Sequence, residues 1–124
     1  MLLQNINRAV AWLMLSTVVV LTLVPPGARP TTFVPHEIEH AGAFLAVGIS
    51  FGMAYLGRER LLSIGAIVFC AVIELAQLYV PGRHACLSDF IVDSVGGVAG
   101  ILLGSTLLRN YLIFRSMQTS TKVG

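Results

Sequence analysis

Ionisable and amide side chains interrupt the apolar runs between residues 74 and 104, and the rest of the chain must position their chemistry. Glu74 and Gln77 are three residues apart and Asp89 and Asp93 are four apart, so on helices each pair shares a face. Burying such groups in an apolar segment is costly, and groups kept at that cost commonly mark binding, proton transfer or catalysis. These side chains are therefore candidates for general acid/base chemistry or for binding a polar ligand.

The composition indicates a small integral membrane protein. The 124 residues are 56% hydrophobic and only 11% charged, which is too little charge to cover a soluble domain of this size. The net charge is +2 and the basic residues are scattered, so the pattern excludes a nucleic-acid-binding surface. Cys70 and Cys86 lack the spacing of a metal site, and no disulfide between them is expected.

Four apolar segments are each close to the roughly 20 residues that cross a bilayer as a helix. They cover residues of about 6–24, 40–56, 61–80 and 90–108, with turn-forming residues between them. The first run is longer than the apolar core of a signal peptide and lacks a clear cleavage site, so it is predicted to remain as the first span. We therefore predict an all-α fold, a polytopic membrane helical bundle with four transmembrane helices. It forms one domain, residues 1–114, followed by a flexible cytoplasmic tail, residues 115–124.

The distribution of basic residues orients this bundle. Six Lys or Arg residues lie in the N-terminus, the second connection and the tail, against two in the first and third connections. Because basic residues are retained on the cytoplasmic side, both termini are predicted to be cytoplasmic. The start of the second helix, the end of the third and the start of the fourth then meet on the outer side. Their polar residues form the predicted outward-facing ligand site, which comprises His40, Glu74, Gln77, Arg83, Asp89 and Asp93.

The members of this site differ in depth and in expected role. At about 1.5 Å of rise per residue, Glu74 and Asp93 lie roughly 9 Å inside the membrane and should face the bundle interior. Together with His40 they are the candidate catalytic residues. Arg83 is suited to binding a phosphate or carboxylate. Two alternatives remain open: Asp89 as the N-cap of the fourth helix, and Glu74 as a protonated group hydrogen-bonded to a neighbouring helix.

Glycines at intervals of four residues predict which helices pack together. Gly96, Gly100 and Gly104 form a ladder on the fourth helix, and Gly48 and Gly52 form a shorter one on the second. Small residues at this spacing let two helix backbones approach closely. We therefore expect the second and fourth helices to pack against each other. The same ladders would also allow two copies of the chain to associate.

The segment from His36 to His40 reads His-Glu-Ile-Glu-His and matches the H-E-x-x-H signature of zinc metalloproteases. In that motif two histidines bind zinc from one helix face, and the glutamate, here Glu37, activates the metal-bound water. An alternative function is therefore an intramembrane hydrolase with zinc on His36 and His40 and with Asp89 or Asp93 as the third ligand. The motif has only three fixed residues and follows Pro35 at a helix start. The first interpretation therefore includes no metal or other cofactor.

These residues, taken in order, resemble the VanZ-like family of small bacterial membrane proteins, which is named after a teicoplanin-resistance accessory protein. The family pattern is an acidic-Lys-x-x-His-x-x-x-Phe segment, then Glu-x-x-Gln, then Pro-Gly-Arg, then Ser-Asp-x-x-x-Asn-x-x-Gly with a later glycine. The matching residues are His40, Phe44, Glu74, Gln77, Pro81, Gly82, Arg83, Ser88, Asp89, Gly96 or Gly97, and Gly100. His36 and Glu37 stand in place of the acid and the lysine, and Asp93 stands in place of the asparagine.

The resemblance implies a bacterial inner-membrane location and a role in envelope biology or glycopeptide resistance, without a defined reaction. Our first hypothesis is a protein that sits in the lipid bilayer and binds an envelope-associated ligand, lipid-linked or glycopeptide-like, in its outward-facing polar pocket. The alternatives are the intramembrane hydrolase and a structural or assembly subunit in which the polar residues fix the helix register.

Overall fold

The computed structural model describes residues 2–24, 35–82 and 86–121, and its regular secondary structure in these ranges is entirely helical. In chain order the helices are α1 (Leu2–Leu23), α2 (His36–Ala54), α3 (Glu59–Gln77) and α4 (Leu87–Thr121). The predicted all-α architecture is confirmed over these ranges.

Two segments of the described chain are long and apolar enough to cross a membrane, judged by length and composition. They are Gln4–Leu23 within α1 and Leu87–Ser120 within α4. The apolar segment Ile38–Ala54 within α2 is shorter. Four membrane-spanning helices are therefore not confirmed.

Helix α4 is much longer than the predicted fourth span. Its 35 residues rise about 52 Å along the axis. Neither Gly nor Pro occurs between Ser105 and Thr121, so no residue in that stretch ends the helix. Residues 115–121, expected as a frayed tail, are helical, and the Thr119 hydroxyl donates to the carbonyl of Ser116 within the helix at 2.9 Å.

Helices α2 and α4 form the centre of the bundle and run parallel. Ala41 lies against Gly96, and Gly52 lies against Ser105, so residue numbers rise together along the contact. The Ser105 hydroxyl donates to the carbonyl of Gly52 at 3.3 Å. A Cβ atom on Gly100 would collide with the carbonyl oxygen of Leu45, which shows how closely the two backbones approach. We call this contact the glycine seam.

Helices α1 and α3 run antiparallel to this central pair. On α1, the indole N–H of Trp12 donates to the Tyr55 hydroxyl at 3.0 Å near the end of α2. On α3, the Glu59 carboxylate accepts from Arg109 of α4 at 2.8 Å. The ends of the bundle are therefore distinct: the starts of α2 and α4 share one end with the end of α3, and Tyr55 and Glu59 lie at the other.

Glu59 is the first residue of α3, where its charge is favourable. Its own backbone N–H and then that of Gly57 hold the pKa of this carboxyl below its usual value, and Arg109 acts in the same direction. The N–H groups at a helix start stabilise a carboxylate because the helix dipole is positive there. The ion pair with Arg109 therefore fixes the start of α3 against α4.

The glycine seam gives the first testable prediction. We expect Gly100→Ala to lower the free energy of unfolding by about 1–3 kcal/mol, because its Cβ would meet the α2 backbone and force the helices apart. Gly42→Ala is the matched control, because a Cβ there meets nothing within 4 Å and alanine favours the helix. The measurement is unfolding by a denaturing detergent in mixed micelles. Equal stability of the two variants would contradict the close backbone contact at the glycine seam.

Glu59 gives a pH-dependent prediction. Because its pKa is lowered in the fold, the carboxylate stabilises the fold above its unfolded pKa, and this stabilisation is lost as the pH falls through the folded pKa. We expect Glu59→Gln to be less stable than the wild type at neutral pH and equally stable in acid. Unfolding measured in micelles across this pH range tests the prediction, and a stability difference independent of pH would contradict it.

Candidate functional site

Five polar side chains are buried where α2, α3 and α4 meet. Each is at most 8% exposed, although most of the surrounding side chains are apolar. We call them the polar cluster: His40, Glu74, Gln77, Asp93 and Ser94. Buried polar groups are costly without partners, so each member needs a structural or functional reason for its position.

The direct contact in the polar cluster joins α2 to α4. Nδ1 of His40 lies 3.3 Å from Oδ2 of Asp93, and both side chains are buried. With the proton on Nδ1, the imidazole donates to the carboxylate, which fixes its tautomer and ring orientation. The ring of Phe44, one turn later on α2, stacks on the imidazole with centroids 6.4 Å apart. The histidine is therefore held by a carboxylate on one side and an aromatic ring on another.

Glu74 joins α3 to the start of α4. Its Oε1 accepts the backbone N–H of Cys86, the residue immediately before α4. The carbonyl of Cys86 accepts from the N–H groups of Asp89 and Phe90 at 3.0 and 3.2 Å, so Cys86 occupies the N-cap position. A carboxylate from α3 thus lies at the positive end of the α4 dipole, where negative charge is stabilised.

The cap of α4 differs from the sequence expectation. Asp89 as the N-cap of the fourth helix is one of the alternatives from the sequence, but α4 begins at Leu87, so Ser88 and Asp89 both lie within its first turn. Their side chains contact each other instead, with the Ser88 hydroxyl donating to Asp89 at 3.3 Å. Asp89 is half-buried, one turn before Asp93. The structure therefore places it at the edge of the polar cluster.

One face of α3 is buried against the rest of the bundle. Cys70, Ile73, Glu74 and Gln77 repeat at helical spacing along that face. Gln77 is only 2% exposed. The face expected from the spacing of Glu74 and Gln77 thus extends one turn further, to Cys70.

Two residues near the predicted site were missed by the sequence analysis. Cys70 on α3 and Ser94 on α4 are both buried, with 2% and 8% of their surface exposed. Both could have been found by position, because Ser94 follows Asp93 and Cys70 precedes Glu74 by four residues. Neither residue type stands out in an apolar helix, so the pattern alone gave no signal.

Asp93 has unused hydrogen-bonding capacity. Its Oδ2 faces His40, whereas its Oδ1 is buried without a hydrogen-bond partner among the described residues. A buried carboxylate oxygen without a donor costs free energy, and a ligand hydroxyl or amine would supply that donor. Oγ of Ser94, the next residue on α4, is likewise buried without a hydrogen-bond partner among the described residues.

Other predicted site residues fall outside the description. Arg83 lies outside the described residues, as does its neighbour His84. His36 and Glu37 begin α2, but their side chains are outside the description as well. Among the side chains that are described, no three His, Cys, Asp or Glu residues come together as a metal site.

Comparison with known proteins gives one family. A sequence model of the VanZ/LLP1 family matches residues 3–109. The match includes α1, which the motif resemblance did not cover, and it ends in the exposed part of α4. No curated protein and no solved structure matches the chain.

The contact between His40 and Asp93 can be tested by a double-mutant cycle. We expect His40→Ala and Asp93→Ala each to destabilise the protein, with a non-additive coupling of about 1 kcal/mol, because each removes the same buried interaction. The control cycle pairs His40→Ala with Asp89→Ala, one turn away on α4, and should be additive. The measurement is unfolding in mixed micelles. Additive losses in the first cycle would show that the two side chains do not interact.

Proposed function

The chain belongs to the VanZ/LLP1 family, and from this premise we propose that it is a membrane protein that binds an envelope-associated ligand. The ligand class is lipid-linked or glycopeptide-like, and the role lies in cell-envelope or antibiotic-resistance biology. The observation that carries the proposal is the His40–Asp93 pair, buried in a largely apolar bundle beside Glu74 and Gln77.

The chemistry of the polar cluster favours a ligand that donates hydrogen bonds. Glu74 and Asp93 are carboxylates, and Oδ1 of Asp93 lacks a donor among the described residues. Hydroxyl and amine groups, which glycans and glycopeptides carry in number, would supply such donors. The amide of Gln77 can both donate and accept. In this proposal Arg83, in the connection between α3 and α4, binds an anionic group of the same ligand.

The membrane placement is supported by the apolar surface. Helices α1 and α4 contain segments of membrane-spanning length, and α3 exposes large apolar side chains such as Ile64, Val68 and Leu75. A soluble protein rarely exposes so many together, whereas lipid tails cover them at no cost. In our proposal the four helices lie in a bacterial inner membrane. The distribution of basic residues places both termini in the cytoplasm and the polar cluster on the outer side.

A second candidate function is an intramembrane hydrolase, which one observation favours. The carboxylate of Asp93 orients the imidazole of His40 through Nδ1, an arrangement common to histidines that act as bases and to those that bind metals. His36 and Glu37 precede His40 in the H-E-x-x-H pattern. Zinc binding there would add an activated water.

The proposal is tested in a strain that lacks the gene. We expect the loss to raise sensitivity to teicoplanin, and Glu74→Gln and Asp93→Asn to fail to restore the wild-type level, because each removes a charge that meets the ligand. Glu59→Gln is the control, being the same change at the opposite end of the bundle, and should restore resistance. Each variant is first shown by immunoblot to reach the membrane at the wild-type amount.

Two outcomes would contradict the proposal. Full restoration by both Glu74→Gln and Asp93→Asn would show that the polar cluster does not bind the ligand. Native mass spectra of the detergent-purified protein with one zinc ion per chain, lost in His40→Ala, would favour the hydrolase instead.

A further inference from the structure

An apolar cleft of about 460 Å³ lies between the four helices, and Gly48, Gly97 and Ile101 of the α2–α4 contact form part of its lining. Residues of all four helices line it, and most of them are apolar or aromatic. Trp12 of α1, Phe51 of α2, Phe69 of α3 and Ile101 of α4 represent the four walls. The volume falls within the roughly 300–1,000 Å³ typical of small-molecule sites.

Small residues on α3 and α4 create this cleft. Gly65 and Ala66 of α3 and Gly97 of α4 line it, and their small size leaves space between the helices. A Cβ atom on Gly65 would meet nothing within 4 Å, and one on Gly97 would meet only the Ala66 methyl group at 3.7 Å. Gly65 therefore leaves open space between the helices. Gly97 does so only towards α3, because a Cβ atom on Gly48 of α2 would collide with the Gly97 carbonyl oxygen.

One end of the apolar cleft is positively charged. Arg58 lines it directly, beside the positive end of the α3 dipole. The guanidinium of Arg8 lies over the ring of Tyr55, another lining residue, at 5.1 Å from the centroid. Nε of Arg8 is buried without a hydrogen-bond partner among the described residues.

The nearby acid does not cancel this charge. Glu59 is the acidic residue described near this end of the cleft. Its carboxylate accepts hydrogen bonds from Arg109 at 2.8 Å and from the Gly57 backbone N–H at 3.2 Å. Glu59 is thus already engaged by other groups. The positive charges of Arg8 and Arg58 are therefore available to attract an anion.

We propose that the apolar cleft holds one acyl chain of an anionic phospholipid, with the lipid phosphate between Arg8 and Arg58. Apolar walls exclude a polar ligand, and the cationic end selects a negatively charged head group over a zwitterionic one. A chain in the cleft would fill the space that the small residues leave between α1 and α3. The phosphate position lies towards the opposite end of the bundle from Glu74, whereas the apolar part of the cleft extends to Phe44 and Cys70 beside the polar cluster. The proposal does not depend on the function proposed for the polar cluster.

Trp12 provides the reporter for this site. It is the single tryptophan of the chain and it lines the apolar cleft. The full-length protein in non-ionic detergent is titrated with phosphatidylglycerol that carries brominated acyl chains, which quench indole fluorescence on contact. We expect saturable quenching, and about tenfold weaker binding of phosphatidylcholine with the same chains, because its head group has no net charge.

Three variants separate specific binding from general contact with lipid. Gly65→Leu should fill the apolar cleft and weaken phosphatidylglycerol binding about tenfold, because the chain loses its space. Gly42→Leu, the same change where a Cβ also meets nothing within 4 Å but outside the cleft lining, should bind as the wild type does. Arg58→Gln should abolish the preference for phosphatidylglycerol.

Two results would overturn the proposal. Equal quenching by the two lipids in the wild type would show that the arginines do not select the head group. Undiminished binding by a folded Gly65→Leu would show that the cleft does not hold the acyl chain. Circular dichroism establishes folding for each variant. If Gly65→Leu does not fold, Arg58→Gln decides the outcome alone, because a preference kept in that variant contradicts the proposal.

Discussion

The close approach of α2 and α4 is the constraint on which the rest of the structure depends. Because Gly48, Gly52 and Gly100 have no side chains, the two backbones meet directly and the parallel helices have one register. That register brings His40 opposite Asp93 one or two turns away from the seam. A shift of one residue along either helix would move one of these side chains off the shared face. Glycine packing therefore determines the geometry of the polar cluster before any polar interaction contributes.

Small residues have opposite effects on the two sides of α4. Gly100 and Gly104 lie against the backbone of α2. Gly97 contacts α2 through its carbonyl oxygen, but a Cβ atom on it would meet only Ala66 of α3, so its small size helps to leave the apolar cleft open. The difference lies in the partner helix. Helix α2 presents glycines of its own to the seam, whereas α3 presents Gly65 and Ala66 to the apolar cleft, whose other walls carry aromatic side chains such as Trp12 and Phe51. Composition alone cannot distinguish these cases, since a glycine in the sequence does not reveal what lies across from it.

How far the sequence could predict this structure follows from the range of each interaction. Helical class and the shared face of Glu74 and Gln77 depend on periodicity within one segment, and periodicity can be read directly. A flexible tail is expected from residue 115 onwards, but α4 continues to Thr121, and Ser and Thr hydroxyls in that stretch bond to the preceding turn. The N-cap at Cys86 was missed because its partner, Glu74, lies on another helix. Which side chains of two helices meet depends on the register between the helices, and this register cannot be read directly from the sequence.

The contacts that Glu74 and Asp93 make in the structure also change the charge balance of the polar cluster. A count of side chains in the sequence gives several acids and few bases at this end of the bundle. In the structure each buried carboxylate has its own source of positive potential: the start of α4 for Glu74 and the imidazole for Asp93. The backbone thus supplies part of the positive charge that a count of side chains omits. Oδ1 of Asp93 and Oγ of Ser94 still lack hydrogen-bond partners among the described residues. Two consecutive residues of α4 therefore retain unmet hydrogen-bonding capacity inside the described part of the bundle.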